Sequence, residues 1–544
     1  MQPCYFIGID VGTGSARAGL FDASGALLAT AKRDIALWQD GPGIAEQSSD
    51  DIWGSVCAAV REAVANAGVA PETIAGIGID ATCSLVVLGD GGRPLAVGPH
   101  GDDRRNIIVW MDHRATDQAR RINATGHKVL DYVGGTISPE METPKLLWLK
   151  EELPQAYRGA WQFLDLADFL TWRATGSLAR SICTVTCKWT YLAHESRWDA
   201  GYFRQIGLSD LADHDFDRVG TEIVPAGQAL GAGLTQAAAA ELDLRPGTAV
   251  GAGLIDAHAG GIGSVGAVAR STMAYVLGTS ACTMASSTEP IFIPGVWGPY
   301  FSAMVPGLWL NEGGQSSAGA AIEQAIALHP AASEARALAQ SRGISLPDLL
   351  AGMAADRMKP GQTAVDIAGA LIVVPDFLGN RSPFADPEAR ALIAGLGMER
   401  DLDSLVALYV AALLGIGYGL RQIVEASRAR GASIETIALS GGAGRHALVQ
   451  QLLADCTGVA VSVSRQSEPV LLGAAMLGAT AAGKFADLPS AMAAMTGKAD
   501  IFRPSDETAT AHQRRFEAFA TLQQTARSLR NITTRGDQHG RPAA

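Results

Sequence analysis

The chain has 544 residues, of which 48% are hydrophobic and 18% charged, enough for two domains with large cores. Its 43 Lys and Arg residues against 55 Asp and Glu residues give a net charge of −12, which argues against a surface that follows a nucleic-acid backbone. Seven cysteines with no Cys-x-x-Cys spacing argue against a zinc or disulfide framework and favour reduced thiols in the cytoplasm.

Three short strands joined by tight turns are predicted at the start of the chain, over Tyr5–Asp10, Arg17–Phe21 and Leu27–Arg33. The tetrapeptide Asp22-Ala23-Ser24-Gly25 is typical of a hairpin turn. Because a strand already begins at Tyr5, we expect no signal peptide.

The turn between the first two strands is the first chemical motif. Its glycines, Gly12 and Gly14, let the backbone approach a phosphate, and consecutive amides can form an anion-binding nest. Thr13, Ser15 and Arg17 add donors. Asp10 at the strand end would need a Mg²⁺ ion beside phosphates, so it is the metal-ligand candidate. A plain glycine-rich hairpin is the alternative.

A helix over about Ser49–Ala67 and strands over Ile74–Asp80 and Leu85–Gly89 follow. Two polar segments in this region are candidates for facing a sugar, because each hydroxyl of a polyol needs a partner once water leaves. Asp80, Thr82 and Cys83 end an apolar strand, and Asp112 lies beside an aromatic residue. Each segment is equally compatible with a cap or a turn.

Asp256 ends an apolar strand and precedes a helix start of small residues. A carboxylate in that position can take the proton of an attacking hydroxyl, the general-base role in phosphoryl transfer to an alcohol. The alternative is that Asp256 only caps the helix. For His258, a structural hydrogen-bonding role is the favoured interpretation.

The second half repeats the pattern of the first. A strand over Met273–Leu277, the turn Gly278-Thr279-Ser280 and a strand over Cys282–Ser286 echo the first hairpin. Asn311–Ser316 is predicted as another polar turn. A strand, a glycine-rich turn with Gly441, Gly442 and Gly444, and a helix through Ala454 suit an adenine nucleotide lying against backbone.

The predicted domains are 1–262, 263–500 and a terminal helix and tail over 501–544, with the helix over Asp506–Leu529 and the tail from Thr533 onward. The apolar stretch Leu405–Leu420 is shorter than a membrane span, so a buried core helix is the better interpretation.

Together these segments resemble the FGGY family of carbohydrate kinases, within the actin–hexokinase–chaperone superfamily of ATPases. The resemblance extends from residue 5 to about 500. It rests on the ordered motifs Asp10–Arg17, Gly278–Ser280 and Leu439–Gly444, on Asp256 in Gly-x-x-Asp-Ala-His, and on the segment Gly379–Pro387. The Gly444-Arg445-His446 sequence departs from the commoner form of the adenosine motif.

The resemblance implies an α/β fold of two actin-like (ribonuclease H-like) domains, each a five-stranded mixed sheet flanked by helices, around a central cleft. It implies ATP and Mg²⁺ as cofactors and Asp256 as the catalytic base. It also implies that Lys188 and Glu312 contact the sugar together with Asp80, Thr82, Cys83 and Asp112, and that the ATP-binding set is Gly12, Thr13, Gly14, Ser15, Arg17, Gly278, Thr279, Ser280, Gly441, Gly442 and Gly444.

Within the family the chain looks most like the pentulose kinases, and the expected reaction is conversion of D-ribulose to D-ribulose 5-phosphate. L-Ribulose, D-xylulose or a pentitol such as ribitol is the alternative substrate, and a chaperone-like ATPase switch without sugar kinase activity is the alternative of a different class. We expect a cytoplasmic enzyme with a small sugar as its partner and with no membrane or nucleic-acid partner. A homodimer is left open.

Overall fold

The computed structural model of the chain describes residues 4–359 and 362–534. The sequence predicts that the tail begins at Thr533, and its residues from position 535 onward lie outside the described part of the chain.

The first half holds ten α-helices and twelve strands among the described residues. The strands are β1 Tyr5–Val11, β2 Ser15–Asp22, β3 Leu27–Asp34, β4 Glu46–Gln47, β5 Ile74–Ala81, β6 Leu85–Gly89, β7 Ile107–Ile108, β8 Ala160–Asp165, β9 Arg180–Ser181, β10 Ile223–Val224, β11 Ala249–Val250 and β12 Leu254–Ile255. The helices are α1 Ser49–Ala67, α2 Thr116–Asn123, α3 Glu142–Glu152, α4 Pro154–Gly159, α5 Leu166–Thr175, α6 Ile182–Lys188, α7 Ala200–Gln205, α8 Ser209–Asp213, α9 Gln236–Leu242 and α10 Asp256–Val265.

The second half adds nine strands and nine α-helices in the described part of the chain. The strands are β13 Thr272–Leu277, β14 Ala281–Ser287, β15 Trp297–Phe301, β16 Trp309–Gln315, β17 Ile372–Val374, β18 Leu392–Ala394, β19 Thr436–Ser440, β20 Ala460–Ser464 and β21 Ala499–Phe502. The helices are α11 Gly319–Ala327, α12 Ala332–Arg342, α13 Leu346–Arg357, α14 Ala364–Ala368, α15 Leu402–Arg428, α16 Ala447–Thr457, α17 Pro469–Ala481, α18 Leu488–Met495 and α19 Asp506–Thr534. Short 3₁₀ helices cover Pro71–Thr73, Asp90–Gly92, Lys128–Val133, Gly266–Val268 and Gly442–Gly444.

Local sequence signals account for the first elements. The Asp22 carboxylate accepts hydrogen bonds from the amides of Ser24 and Ala26, which closes the β2–β3 hairpin with Gly25 at a φ of 81°. Helix α1 begins where the Ser48 hydroxyl accepts a hydrogen bond from the Asp51 amide at 3.3 Å, and it ends at the left-handed Gly68.

Two mixed sheets form the framework. The first has the order β11-β5-β1-β2-β3, with β12 also paired to β5. The second has the order β15-β16-β14-β13-β19-β20-β21. In the first, β1 pairs antiparallel with β2 and parallel with β5; in the second, β13 pairs antiparallel with β14 and parallel with β19. The same hairpin with a parallel third strand is therefore built twice.

The sheets have six and seven strands rather than the five expected in each. The segment over Asn311–Ser316, predicted as a turn, is mostly strand β16, which pairs with β14 and β15 over its length. The polar residues of β16 misled the sequence prediction, because a strand that faces a cavity does not show the usual apolar alternation.

Helix α17 lies in sequence between β20 and β21 of the second sheet, but it packs on the first sheet and on α10. Its close approach depends on glycines: a Cβ atom on Gly8 would lie 1.9 Å from the Leu471 carbonyl oxygen, and one on Gly78 would lie 1.8 Å from that of Ala474. The two halves are thus held together by backbone-to-backbone packing.

Helix α15 is the one described helix that is long and apolar enough to cross a membrane. It lies in the core of the second half, and 78% of its most apolar window is buried inside the protein. It is the buried core helix that the sequence predicts over Leu405–Leu420.

Candidate active site

A cavity of about 650 Å³ lies between the two sheets, at the ends of β1, β5, β12 and β13. Both halves of the chain supply its walls. The sequence-predicted residues that line it are Asp10, Gly12, Thr13, Gly14, Ser15, Arg17, Thr82, Cys83, Lys188, Asp256, Ser280 and Glu312.

Each glycine-rich turn is closed by a hydrogen bond from the amide of its first glycine to the carbonyl oxygen of its serine, across three residues in the first turn and two in the second. In the first turn the Gly12 amide donates to the Ser15 carbonyl oxygen at 3.0 Å, and in the second the Gly278 amide donates to that of Ser280 at 2.9 Å. The Thr13 carbonyl oxygen accepts a hydrogen bond from the Gln47 side chain, and the Thr279 carbonyl oxygen accepts one from the Ala318 amide. Both turns are therefore fixed from behind by neighbouring elements.

The third glycine-rich segment lies beside the second turn. Ser440 at the end of β19 pairs with Val276 of β13, and Gly441 follows with a φ of 95°. A Cβ atom on Gly441 would lie 2.4 Å from the Leu277 carbonyl oxygen, so only glycine allows this contact. None of Gly278, Thr279, Gly441, Gly442 and Gly444 lines the cavity. Gly278 and Thr279 lie between the lining residues Val276 and Ser280, and the three other glycines follow β19, the strand beside β13.

Three carboxyl groups meet at the strand ends of the first sheet. Asp10 is the cross-strand partner of Asp80, and Asp256 begins helix α10 directly after β12. Burial and the Asp10 carboxylate raise the pKa of Asp256 to about 6. Burial, with the charges of Asp10 and Asp256, raises the pKa of Asp80 well above its usual range.

Arg17 balances part of this negative charge. Its Nε donates to Asp10 Oδ2 at 2.7 Å, and its Nη1 lies 2.9 Å from Oε2 of Glu468, which directly precedes α17. Arg17 therefore joins the first turn to a residue of the second half of the chain.

A cation and two carboxylates form the opposite wall. Lys188, at the end of α6, is 7% exposed and lies 5.3 Å from the Trp297 ring centre. Burial would raise the pKa of Glu312, but Lys188 and His258 lower it to about 2, so Glu312 is a carboxylate. Glu140 also lines the cavity and lies 3.4 Å from the His113 ring nitrogen.

Several lining residues were not assigned to the site from the sequence. Arg381 lies 5.4 Å from the Trp297 ring centre and 4.0 Å from the Cys282 sulfur. The Trp110 indole donates a hydrogen bond to the Thr13 hydroxyl at 3.0 Å. Trp110, Cys282 and Arg381 lie in segments that the sequence analysis noted; Glu140 and Trp297 carried no local signal.

Two of the predicted sugar ligands do not line the cavity. Asp80 is fully buried beneath it, and neither of its carboxyl oxygens has a hydrogen-bond partner among the described residues. Asp112 is also fully buried; it accepts hydrogen bonds from the Ala45 amide at 2.7 Å and from the Arg114 guanidinium at 2.8 Å. Arg114 in turn binds Glu46. The Asp112 carboxylate is therefore engaged within the protein, a correction to its expected place beside the sugar.

Family models and relatives cover almost the whole chain. Residues 5–263 match the N-terminal domain of the FGGY family of carbohydrate kinases, and residues 273–482 match its C-terminal domain. A human FGGY carbohydrate kinase domain-containing protein is 46% identical over 95% of this chain and 96% of its own length. A D-ribulokinase of Saccharomyces cerevisiae is 39% identical over 88% of this chain and 72% of its own length.

The fold is shared with solved sugar kinases. A xylulose kinase from Rhodospirillum rubrum superposes with a TM-score of 0.78 at 22% identity, covering 96% of this chain and 99% of its own. The expected two-domain actin-like fold is confirmed. The chain belongs to the FGGY family of carbohydrate kinases and is an ATP-dependent sugar kinase.

Proposed function

We propose that this kinase transfers the γ-phosphoryl group of ATP to the 5-hydroxyl of D-ribulose. The observation that carries the proposal is one cavity that joins the two glycine-rich turns, the Asp256 carboxylate and a polar wall of Lys188 and Glu312. The choice of D-ribulose is supported by the 39% identity to the yeast D-ribulokinase.

In this proposal Asp256 is the general base. It would accept the proton of the sugar hydroxyl as that oxygen bonds to the γ-phosphorus, while the bond from phosphorus to the bridging oxygen breaks and ADP leaves. Its pKa of about 6 leaves it unprotonated at neutral pH and still basic enough to help. The Asp256 carboxylate also accepts a hydrogen bond from the Ala257 amide at 2.7 Å, which fixes its orientation.

The nucleotide would lie along the border of the second sheet. Gly12–Ser15 and Gly278–Ser280 would hold the phosphates through their amides and hydroxyls, and Gly441, Gly442 and Gly444 would lie against the adenosine. Arg17, placed between Asp10 and Glu468, is the nearby cation for the phosphate charge.

The acidic strand ends fit a Mg²⁺ ion carried in with the nucleotide. Asp10 lies at the cavity wall, and the unpaired carboxyl oxygens of buried Asp80 lie behind it. Within residues 4–359 and 362–534 no group of three potential ligands could hold a metal on its own. Mg²⁺ is usually held by one or two carboxylates together with substrate phosphates, a role that the Asp10 carboxylate at the cavity wall can fill. Asp10 would hold the ion, which would neutralise developing phosphate charge.

The sugar would occupy the part of the cavity bounded by Thr82, Cys83, Lys188 and Glu312. Lys188 offers three donors and Glu312 two acceptor oxygens, so together they can satisfy neighbouring hydroxyls that have left water. Trp110 and Trp297 supply apolar walls that help to exclude water, which would otherwise compete as the nucleophile. We also propose a cytoplasmic location, because all seven cysteines are free thiols.

A coupled assay of ADP release over D-ribulose, L-ribulose, D-xylulose, ribitol and glycerol tests the substrate, with the phosphate position assigned by NMR of the product. We expect the highest kcat/KM for D-ribulose and a phosphate on its 5-hydroxyl. A higher kcat/KM for any other member of the panel would refute the substrate, and ADP release without any sugar at the same rate would refute the proposed reaction.

A further inference from the structure

His258 lies at the junction of the three elements that carry the proposed catalytic and sugar-binding residues. It is fully buried in the first turn of α10, two residues after Asp256. Its Nδ1 lies 3.0 Å from the sulfur of Cys183 on α6, the helix that ends with Lys188. Its Nε2 lies 3.5 Å from Glu312 Oε2 on β16.

The Cys183 sulfur accepts a hydrogen bond from the backbone of a segment outside its own helix. The Ile255 amide, immediately before Asp256, donates to this sulfur at 3.4 Å. Burial opposes ionisation, but hydrogen bonding from Cys187 and the charge of His258 lower the pKa of Cys183 to about 5. A sulfur that receives several N–H or S–H donors is stabilised as a thiolate.

His258 carries the positive charge that complements the Cys183 thiolate. Burial alone would lower its pKa, but Cys183 and Glu312 raise it to about 10. The groups that face the imidazole are Cys183 and, behind it, Cys187 from α6, Glu312 from β16, and Asp256 from its own helix. Glu312 is thus placed between two cations, His258 and Lys188.

We propose that His258 is a positioning residue that, as an imidazolium held by Cys183, fixes the Glu312 carboxylate beside Lys188 so that both face the sugar. This inference rests on the proposed sugar site. It adds that a buried cysteine–histidine pair, not in contact with the substrate, sets the affinity for the sugar.

The chain contains a second buried cysteine–histidine pair that serves as a control. Cys456 of α16 lies 3.7 Å from Nδ1 of His512, which also lies 3.1 Å from the Tyr418 hydroxyl. Burial and nearby arginines lower the pKa of His512 to about 4, so this histidine is neutral. The difference is that, among the described residues, no carboxylate acts on His512 in the way that Glu312 acts on His258.

The first test uses the sugar-free protein and needs no activity. Imidazole NMR of the full chain is recorded over a pH series for the wild type and for His258→Gln and His512→Gln, which assign the two signals. We expect His258 to stay protonated well above its ordinary pKa of 6.5 and His512 to be neutral at pH 7. Thiolate absorbance of the same proteins tests the partner of His258. We expect this absorbance to be lost in Cys183→Ser and kept in Cys456→Ser. A His258 that is neutral at pH 7 would overturn the proposal.

The second test is kinetic and uses His258→Gln, Cys183→Ser and the control Cys456→Ser. Because one charged partner of Glu312 is lost, we expect KM for the sugar to rise about 10- to 100-fold in the first two variants, with KM for ATP within about twofold. Sugar KM values equal to the wild-type value in folded Cys183→Ser and His258→Gln protein would contradict the positioning role.

The experiments separate a failure of the proposed function from a failure of the role proposed for His258. If the wild type phosphorylates no sugar in the panel, the proposed function fails, while the NMR series still decides the charge of His258. His258→Gln can be compared only if it folds, so the isosteric Cys183→Ser is the second variant. If the wild type is active and Cys183→Ser keeps the wild-type thermal midpoint, the sugar KM of Cys183→Ser decides the positioning role by itself.

Discussion

At the scale of single residues, the environment of each carboxyl group decides its chemistry. Asp256 and Asp112 are both acids at predicted site positions, yet only Asp256 faces the cavity. The Asp112 carboxylate is neutralised by Arg114, while Asp256 remains beside other negative groups with a pKa raised to about 6. A raised pKa in a cavity is typical of an acid–base catalyst.

Asp256→Asn should lower kcat for sugar phosphorylation by about 10²- to 10⁴-fold, because the proton acceptor is lost while the side-chain volume is kept. Steady-state kinetics and calorimetric titration with ADP measure this, and ADP affinity should stay within about threefold of wild type. The exposed Asp213→Asn is the control. Retention of more than about a tenth of wild-type kcat would contradict the general-base assignment.

The pH dependence follows from the same carboxyl group. Since the base is the ionised form, kcat/KM should be full above the pKa of about 6 and should fall as the pH drops through that value. A pH series of kcat/KM with saturating ATP measures this. An acid limb near pH 4, the ordinary range of an aspartate, would show that burial and Asp10 do not act on Asp256 as described.

At the scale of elements, glycines decide how closely the halves approach. Helix α17 lies in sequence between β20 and β21 of the second sheet but packs on the first, where glycines let the backbones come into contact. Gly8 and Gly78 on the sheet and Gly473 on the helix leave no room for a side chain. Interiors packed this tightly accommodate extra atoms only by moving.

Gly78→Ala should destabilise the protein by about 1–3 kcal/mol or more, because its new Cβ would lie 1.8 Å from the Ala474 carbonyl oxygen. Gly54→Ala in the exposed face of α1 meets no atom within 4 Å and should stabilise that helix by up to about 1 kcal/mol. Thermal midpoints of both variants measure the difference. Equal midpoints would mean that α17 can move away from the sheet at little cost.

At the scale of the whole molecule, the cavity exists only because two similar halves face each other. Side chains join the halves: Arg17, which lines the cavity, binds Glu468, and the Tyr132 ring stacks on Trp309 at 6.2 Å between ring centres. Closure around both substrates would exclude water from the γ-phosphate.

Glu468→Gln should raise KM for ATP by about 3- to 10-fold and leave KM for the sugar within about twofold, because Arg17 loses one of its two carboxylate partners near the phosphates. Steady-state kinetics with each substrate varied measures this, and Glu507→Gln on the exposed part of α19 is the control. A rise in the sugar KM with an unchanged ATP KM would indicate that Arg17 acts on the sugar and not on the phosphates, contrary to the proposal.

The sequence by itself determined the features that depend on neighbouring residues. The hairpin at Asp22–Gly25, the start of α1 at Ser48 and the two glycine-rich turns follow from local turn and cap chemistry, which acts over a few residues. The repeat of that chemistry in both halves indicated two related domains, and the ordered motifs carried the resemblance to the FGGY carbohydrate kinases, a family that the comparisons confirm. The exact sugar, the domain limits and the roles of the site residues stay predictions.

Only the tertiary structure decided which distant side chains share the cavity. Glu140 and Trp297 reach it from segments far apart in sequence, so no local pattern marks them. Asp112 pairs with Arg114 and does not face the cavity, and Glu312 lies on strand β16 rather than in a turn. The physical reason is that the pairing and burial of a charge depend on contacts between chain segments, which folding brings together and short-range spacing does not encode.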